Sequence, residues 1–123
     1  MEKIYTKNAP EAIGPYSQAM KVGNMLFTSG QIAIVPKTSQ VEATDIVGQT
    51  EQVCKNISAI LDEAGSSFEK VVKTTCFLAD MNDFASFNEI YAKYFISNPA
   101  RSCVAAKTLP KNVLVEVEVI AEI

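Results

Sequence analysis

Val113-Leu114-Val115-Glu116-Val117-Glu118-Val119-Ile120-Ala121-Glu122-Ile123 alternates in character from one residue to the next along the end of the chain. Successive side chains of a strand point to opposite faces of its sheet. One face here is therefore Val113, Val115, Val117, Val119, Ala121 and Ile123, wholly apolar and fit to lie beneath helices. The other is Leu114, Glu116, Glu118, Ile120 and Glu122, in which aliphatic groups interleave with carboxylates. That second face is neither solvent-like nor core-like. It predicts a sheet surface that meets another subunit and leaves some glutamates partly buried in the contact.

Working outward, Val71–Leu78 is rich in β-branched residues and free of breakers, which predicts a strand buried on both sides. Ser17–Val22 and Met25–Ser29 are short strand-like runs around Gly23-Asn24, a pair that favours a two-residue hairpin. Ile46, Thr50, Val53, Ile57, Ile60, Leu61 and Ala64 recur at helical steps, with Thr44 or Asp45 as N-cap and Gly65 at the left-handed stop. A second helix is expected from about Asn82 or Asp83, with Phe84, Phe87, Tyr91, Tyr94 and Phe95 on one stripe, and Asn98-Pro99 ends it. Arg101–Lys107 and Val113–Glu122 supply two last strands, joined through Leu109-Pro110-Lys111-Asn112. The order β-β-β-α-β-α-β-β argues for an α+β fold, a mixed six-stranded sheet carrying two helices on one face.

The chain has 123 residues, 48% of them apolar and 20% charged, which suits one domain, residues 1–123, able to build a core without staples. It contains no histidine. That removes Ser-His-Asp and Cys-His nucleophilic machinery, histidine bases and His-ligated zinc. Cys54, Cys76 and Cys103 are too far apart for a metal quartet and odd in number for a disulfide framework, so a reducing, cytoplasmic setting is expected. A net charge of −3 without a basic run argues against nucleic acid as the main partner. No apolar stretch approaches the length of a membrane span, and the first residues lack a signal-like core.

Several stretches together resemble the RidA/YjgF family of reactive-intermediate deaminases. They are Asn8-Ala9-Pro10-Glu11-Ala12-Ile13-Gly14-Pro15-Tyr16-Ser17-Gln18, Thr28-Ser29-Gly30-Gln31-Ile32, Val72-Lys73-Thr74-Thr75 with Asp80-Met81-Asn82-Asp83-Phe84, Asn88, Pro99-Ala100-Arg101-Ser102-Cys103-Val104, and Leu109-Pro110-Lys111 leading into Val115-Glu116-Val117-Glu118. The resemblance runs nearly end to end and in order. It implies a chorismate-mutase-like domain, assembled as a homotrimer with a sheet-lined inner barrel and pockets between subunits. It also implies cofactor- and metal-independent hydrolysis of short 2-imino acids, such as 2-iminopropanoate and 2-iminobutanoate, to 2-oxo acids and ammonia. The sequence departs from the common pattern at Ala33, at Ser39, over Ala105-Ala106-Lys107-Thr108 and in a shorter approach to Pro99.

Read on its own chemistry, Arg101 could fork onto a carboxylate or serve as an ordinary ion pair. The resemblance implies carboxylate binding. Glu116 could be a solvated strand carboxylate; its place matches the family's water-positioning glutamate, a role for which a partly shielded carboxylate is suited. Tyr16 as a pocket wall, Asn88 as an orienting amide, and Ser29, Gly30 and Cys103 as close backbone contacts to substrate are likewise implied by the resemblance. Cys103 lacks an imidazole to activate it and reads as a small apolar residue rather than a nucleophile. Two further readings stand beside hydrolysis: a non-catalytic metabolite-binding regulatory module that keeps Arg101 but not Glu116, and an RNA-binding translation inhibitor or ribonuclease, against which the charge speaks.

Overall fold

A computed structural model describes residues Met1–Ile123. The strands are β1 (Glu2–Ile4), β2 (Ala19–Val22), β3 (Met25–Thr28), β4 (Ile34–Val35), β5 (Gln40–Val41), β6 (Val71–Leu78), β7 (Ala100–Ala105) and β8 (Val115–Glu122), and the helices are α1 (Ile46–Ala64) and α2 (Phe84–Tyr94). Six strands form one mixed sheet in the order β1-β2-β3-β8-β6-β7, in which only β6 and β7 run parallel; β4 and β5 form a separate small hairpin. The α+β class, the six-stranded mixed sheet and the two helices on one face are as the order of elements predicts, and the alternation in β8 agrees with the helix-covered face.

Strand β8 occupies the middle of the sheet because its apolar face has the most to bury. Val115, Val117, Val119 and Ala121 are 0–1% exposed and join one cluster with Val53, Ile57, Ile60 and Leu61 of α1 and Phe87 and Tyr91 of α2. Each valine so buried contributes roughly 1.5–3 kcal/mol. Helix α1 starts where Asp45 Oδ1 accepts from Gly48 N at 2.8 Å, and stops at Gly65, whose φ of 77° and ψ of 27° an L side chain would resist. In the β2–β3 hairpin Gly23 alone of the two turn residues has positive φ, 59°.

Several local expectations shift. Strand β6 is not buried on both sides: Val71, Thr74, Cys76 and Leu78 lie under the helices, while Lys73, Thr75 and Phe77 are half-buried on the open face and Val72 is 39% exposed. A bulge between Val71 and Lys73 explains why Val71 and Thr74, of opposite parity, share the helix side. Helix α2 begins at Phe84 after a single 3-10 turn over Met81–Asp83, held by Asp80 Oδ1 accepting from Asn82 N, and it ends at Tyr94, well short of Pro99. Strand β7 runs Ala100–Ala105 rather than to Lys107. The strand Glu2–Ile4 is not foreseen from the sequence; so short a segment is defined only by its pairing with β2.

One core position is polar without reward. Thr50 is 0% exposed on α1, and its Oγ1 has no hydrogen-bond partner. Valine has the same branched shape and no hydroxyl to desolvate. Thr50→Val should therefore raise unfolding stability by about 1 kcal/mol, read as an increased urea midpoint at unchanged slope.

Candidate functional site

The β3 exit, the first loop and strand β8 meet around a cavity of about 430 Å³. Ser29 N donates to Gln18 O at 2.8 Å and Ser29 Oγ to Ser17 O at 2.6 Å, so the serine hydroxyl is spent on backbone. Gln31 then exchanges both backbone hydrogen bonds with Val117, at 2.8 and 3.1 Å. Between these anchors Gly30 passes directly over Glu116. A Cβ on Gly30 would overlap the Glu116 carboxylate, so only glycine leaves that carboxylate its place. Tyr16 lines the same cavity, 52% exposed, its hydroxyl accepting from Ile13 N at 3.3 Å. The remaining wall is mostly apolar, through Pro10, Ile13, Ile32, Ile34 and Pro110, with Glu11 and Lys111 at the rim.

Three buried amides hold this frame, and none of them stood out as functional in the sequence. Gln18 donates to Thr6 O at 3.0 Å and Pro10 O at 2.9 Å and accepts from Thr6 N at 2.8 Å, pinning the first loop. Asn56 on α1 donates to Ile32 O at 3.1 Å and Ile34 O at 2.9 Å. Gln49, seven residues earlier and thus on the same helical face, accepts from Leu114 N at 2.8 Å and donates to Ala43 O at 3.0 Å. Two amides at that spacing beside an apolar stripe were the available signal. Buried polar groups must find partners, and here the partners are the backbones of the cavity wall.

Glu116 is half-buried and its proton affinity is raised, first by loss of hydration and second by the Glu118 carboxylate on the same strand face. Glu118 is its neighbour in the pleat, one position of the same parity away. A carboxylate so placed can hold a water and take up its proton more readily than a solvated glutamate.

Arg101 stands elsewhere. It pairs with Thr74 in the parallel β6–β7 ladder, and Thr74 points to the helices; Glu116 pairs with Phe77, which points away from them. Arg101 and Glu116 thus occupy opposite faces of the sheet, separated by two strand spacings, about 10 Å, and three residues along the strands, again about 10 Å. Arg101 opens onto a second cavity, of about 330 Å³, lined by Asn88, Tyr91, Ala92, Asn98, Pro99 and Arg101 itself. Asn88 Oδ1 accepts from Arg101 Nη1 at 2.8 Å. Cys103, two residues on, shares the helix side, opposite Cys76; burial pushes its thiol up in pKa, with Arg101 acting the other way. No group of three or more Cys, Asp or Glu side chains forms a set of metal ligands. Of the seven residues singled out in the sequence, Tyr16, Ser29, Gly30 and Glu116 come together in one cavity, and Asn88, Arg101 and Cys103 cluster on the other face.

Comparison with known proteins bears on both halves. The sequence pattern of the family described as Endoribonuclease L-PSP matches residues 6–123. RutC family protein PH0854 of Pyrococcus horikoshii is 57% identical over 98% of this chain and 96% of its own length. Reactive Intermediate Deaminase A, chloroplastic, of Arabidopsis thaliana is 47% identical over 98% of this chain and 65% of its own. Among solved structures, E. coli TdcF with bound serine superposes with a TM-score of 0.95 at 42% identity, covering 100% of this chain and 99% of TdcF.

Two titration results follow from the Glu116 environment. Glu118→Gln removes the second cause of the raised affinity, so the Glu116 carboxyl resonance should titrate at lower pH than in the parent protein. A carboxyl whose folded-state pKa is raised stabilises the fold below the ordinary carboxylate range and loses that contribution as pH rises through the raised value. Glu116→Gln should therefore melt higher than the parent near neutral pH, with the difference shrinking on acidification.

Proposed function

The chain belongs to the Endoribonuclease L-PSP family, and on that premise we propose that it is a cofactor-independent hydrolase of short 2-imino acids. The observation that carries the reading is Glu116, a half-buried carboxylate of raised proton affinity pressed against Gly30 in an apolar-walled cavity. Glu116 takes a proton from a water whose oxygen adds to the imine carbon. That proton returns to nitrogen to give a carbinolamine, whose hydroxyl proton the same carboxylate then carries to nitrogen as the C–N bond breaks and the C=O bond forms, and ammonia and a 2-oxo acid leave. The imine is already electrophilic, so positioning and one proton relay suffice. The serine bound to E. coli TdcF supports a ligand of amino-acid size, and the name of the Arabidopsis relative supports deamination. The ribonuclease in the family's name fits poorly with a chain of net charge −3 without histidine.

Arg101 binds the substrate carboxylate in this reading, and within one chain it cannot reach the Glu116 cavity. The site is accordingly shared between copies. Strand β7 is an edge of the sheet, with one side of its backbone unpaired. The open face carries half-buried Phe77 and Ile120 and exposes Phe27 at 43% and Val104 at 49%, an apolar surface that calls for a cover. Three copies of the 1–123 domain closing as a chorismate-mutase-like trimer would bury that face and bring Arg101 of one copy to Glu116 of the next. Tyr16 then closes the cavity, and the backbone near Ser29, Gly30 and Cys103 holds the imine end. The chain's helices include none long and apolar enough to cross a membrane; a cytoplasmic setting, where dehydratases release such imines, completes the proposal.

Coupled to a threonine dehydratase, the protein should speed loss of the trappable imine well beyond buffer, and no acceleration would sink the proposal. Arg101→Ala and Glu116→Ala should each be inactive. Unfolded together and refolded, they should recover about a quarter of parental activity, because each shared site needs two intact halves drawn at random. A site contained in one chain would recover none.

A further inference from the structure

We propose that Asn88 and Tyr91 are positioning residues that hold the Arg101 guanidinium, still uncompensated in charge, as a flat fork that selects carboxylates over tetrahedral oxyanions. This rests on the assignment of Arg101 to the substrate carboxylate. Phe84, Asn88 and Tyr91 recur at four- and three-residue steps on α2, so they form one ridge facing the start of β7. The Arg101 guanidinium carbon lies 4.8 Å from the centre of the Tyr91 ring and 5.3 Å from that of Phe84, within cation–π range of both. Tyr91 is itself immobile: its hydroxyl is 2.7 Å from Thr74 Oγ1, its ring stacks on Phe95 at 4.3 Å, and it is 8% exposed. A ring held by a hydrogen bond and a stack limits how the cation beside it can turn.

Asn88 sets the rotation within that plane by accepting from Nη1 at 2.8 Å. The chemistry of this partner matters. An aspartate at position 88 would hold the guanidinium equally well but would neutralise it; the amide orients it and leaves its charge for a ligand. With Nη1 engaged and the rings beside the guanidinium, what remains is an in-plane edge of parallel N–H donors. Two coplanar carboxylate oxygens match that edge. A phosphate-like anion places further charged oxygens out of the plane, towards the rings and the apolar walls of Ala92 and Pro99, leaving only the Asn88 and Asn98 amides of the lining to meet them.

The test uses the assembled protein, with 2-oxobutanoate and inorganic phosphate as calorimetric ligands and imine hydrolysis as the kinetic readout. Asn88→Asp keeps the side-chain shape, so its fold is readily verified by melting. It should weaken 2-oxobutanoate binding more than tenfold and raise KM in parallel, with kcat changed far less. Asn88→Ala and Tyr91→Leu should each show about tenfold losses, and Tyr91→Phe, which keeps the ring, should retain most of the affinity that leucine loses. Tyr91→Leu should also narrow the preference for 2-oxobutanoate over phosphate. Binding by Asn88→Asp within threefold of the parent, or an unchanged anion preference in Tyr91→Leu, would overturn the inference. A parent protein that binds 2-oxobutanoate through Arg101 but hydrolyses no imine overturns the deaminase reading alone, leaving the clamp to be judged by binding. Binding that survives Arg101→Ala overturns both.

Discussion

Strand β8 is paired on both sides, to β3 and to β6, and its two faces have different chemistry. From that constraint the rest of the molecule follows. The valine face has to be covered, so both helices gather on one side of the sheet. The pleat then leaves no choice about Glu116: with Val115 and Val117 buried, the residue between them must emerge on the uncovered face. Gln31 reaches across to pair with Val117, which brings Gly30 against the glutamate side chain. A carboxylate is thereby placed half out of water by the same alternation that builds the core.

The surroundings of that carboxylate are held by side-chain amides rather than by regular secondary structure. Gln18, Gln49 and Asn56 are 1–5% exposed, and each bonds to backbone of the loops around the cavity. A loop anchored by a buried amide is costly to displace, because the amide would be left unsatisfied in the core. The left-handed conformations of Lys111 and Asn112, φ 55° and 54°, fall in the same frame and are held there by the anchored Leu114 and Val113. Rigid loops on a rigid sheet suit chemistry that consists of placing a water and a proton.

Arg101 and Glu116 show how little linear spacing says about convergence. Both lie on strands that flank β6, and β6 dictates where each points. Thr74 faces the helices and takes Arg101 with it; Phe77 faces away and takes Glu116 with it. The odd step between these partners puts the two candidate catalytic side chains on opposite faces. In the proposed trimer, division of the site between copies would be a matter of strand parity, with Arg101 carried on the edge strand β7.

Through its resemblance to a known family the sequence made Arg101 and Glu116 candidates, and by itself it determined the periodic parts: the two-faced strand, α1 from a Thr44 or Asp45 cap to Gly65, the Gly23-Asn24 hairpin and the α+β class. These rest on spacing and on residue-specific backbone preferences, which act over a few residues and are visible in a string. Tertiary structure alone decided the bulge after Val71, which resets the parity of β6, the pairing that makes Glu2–Ile4 a strand, the early end of α2, and the side of the sheet on which Arg101 stands. It also decided that Gln18, Gln49 and Asn56 frame a cavity and that Asn88 holds a guanidinium. Those outcomes depend on which groups far apart in the chain come to lie side by side, and on the requirement that every buried polar atom among them be satisfied, which local sequence does not encode.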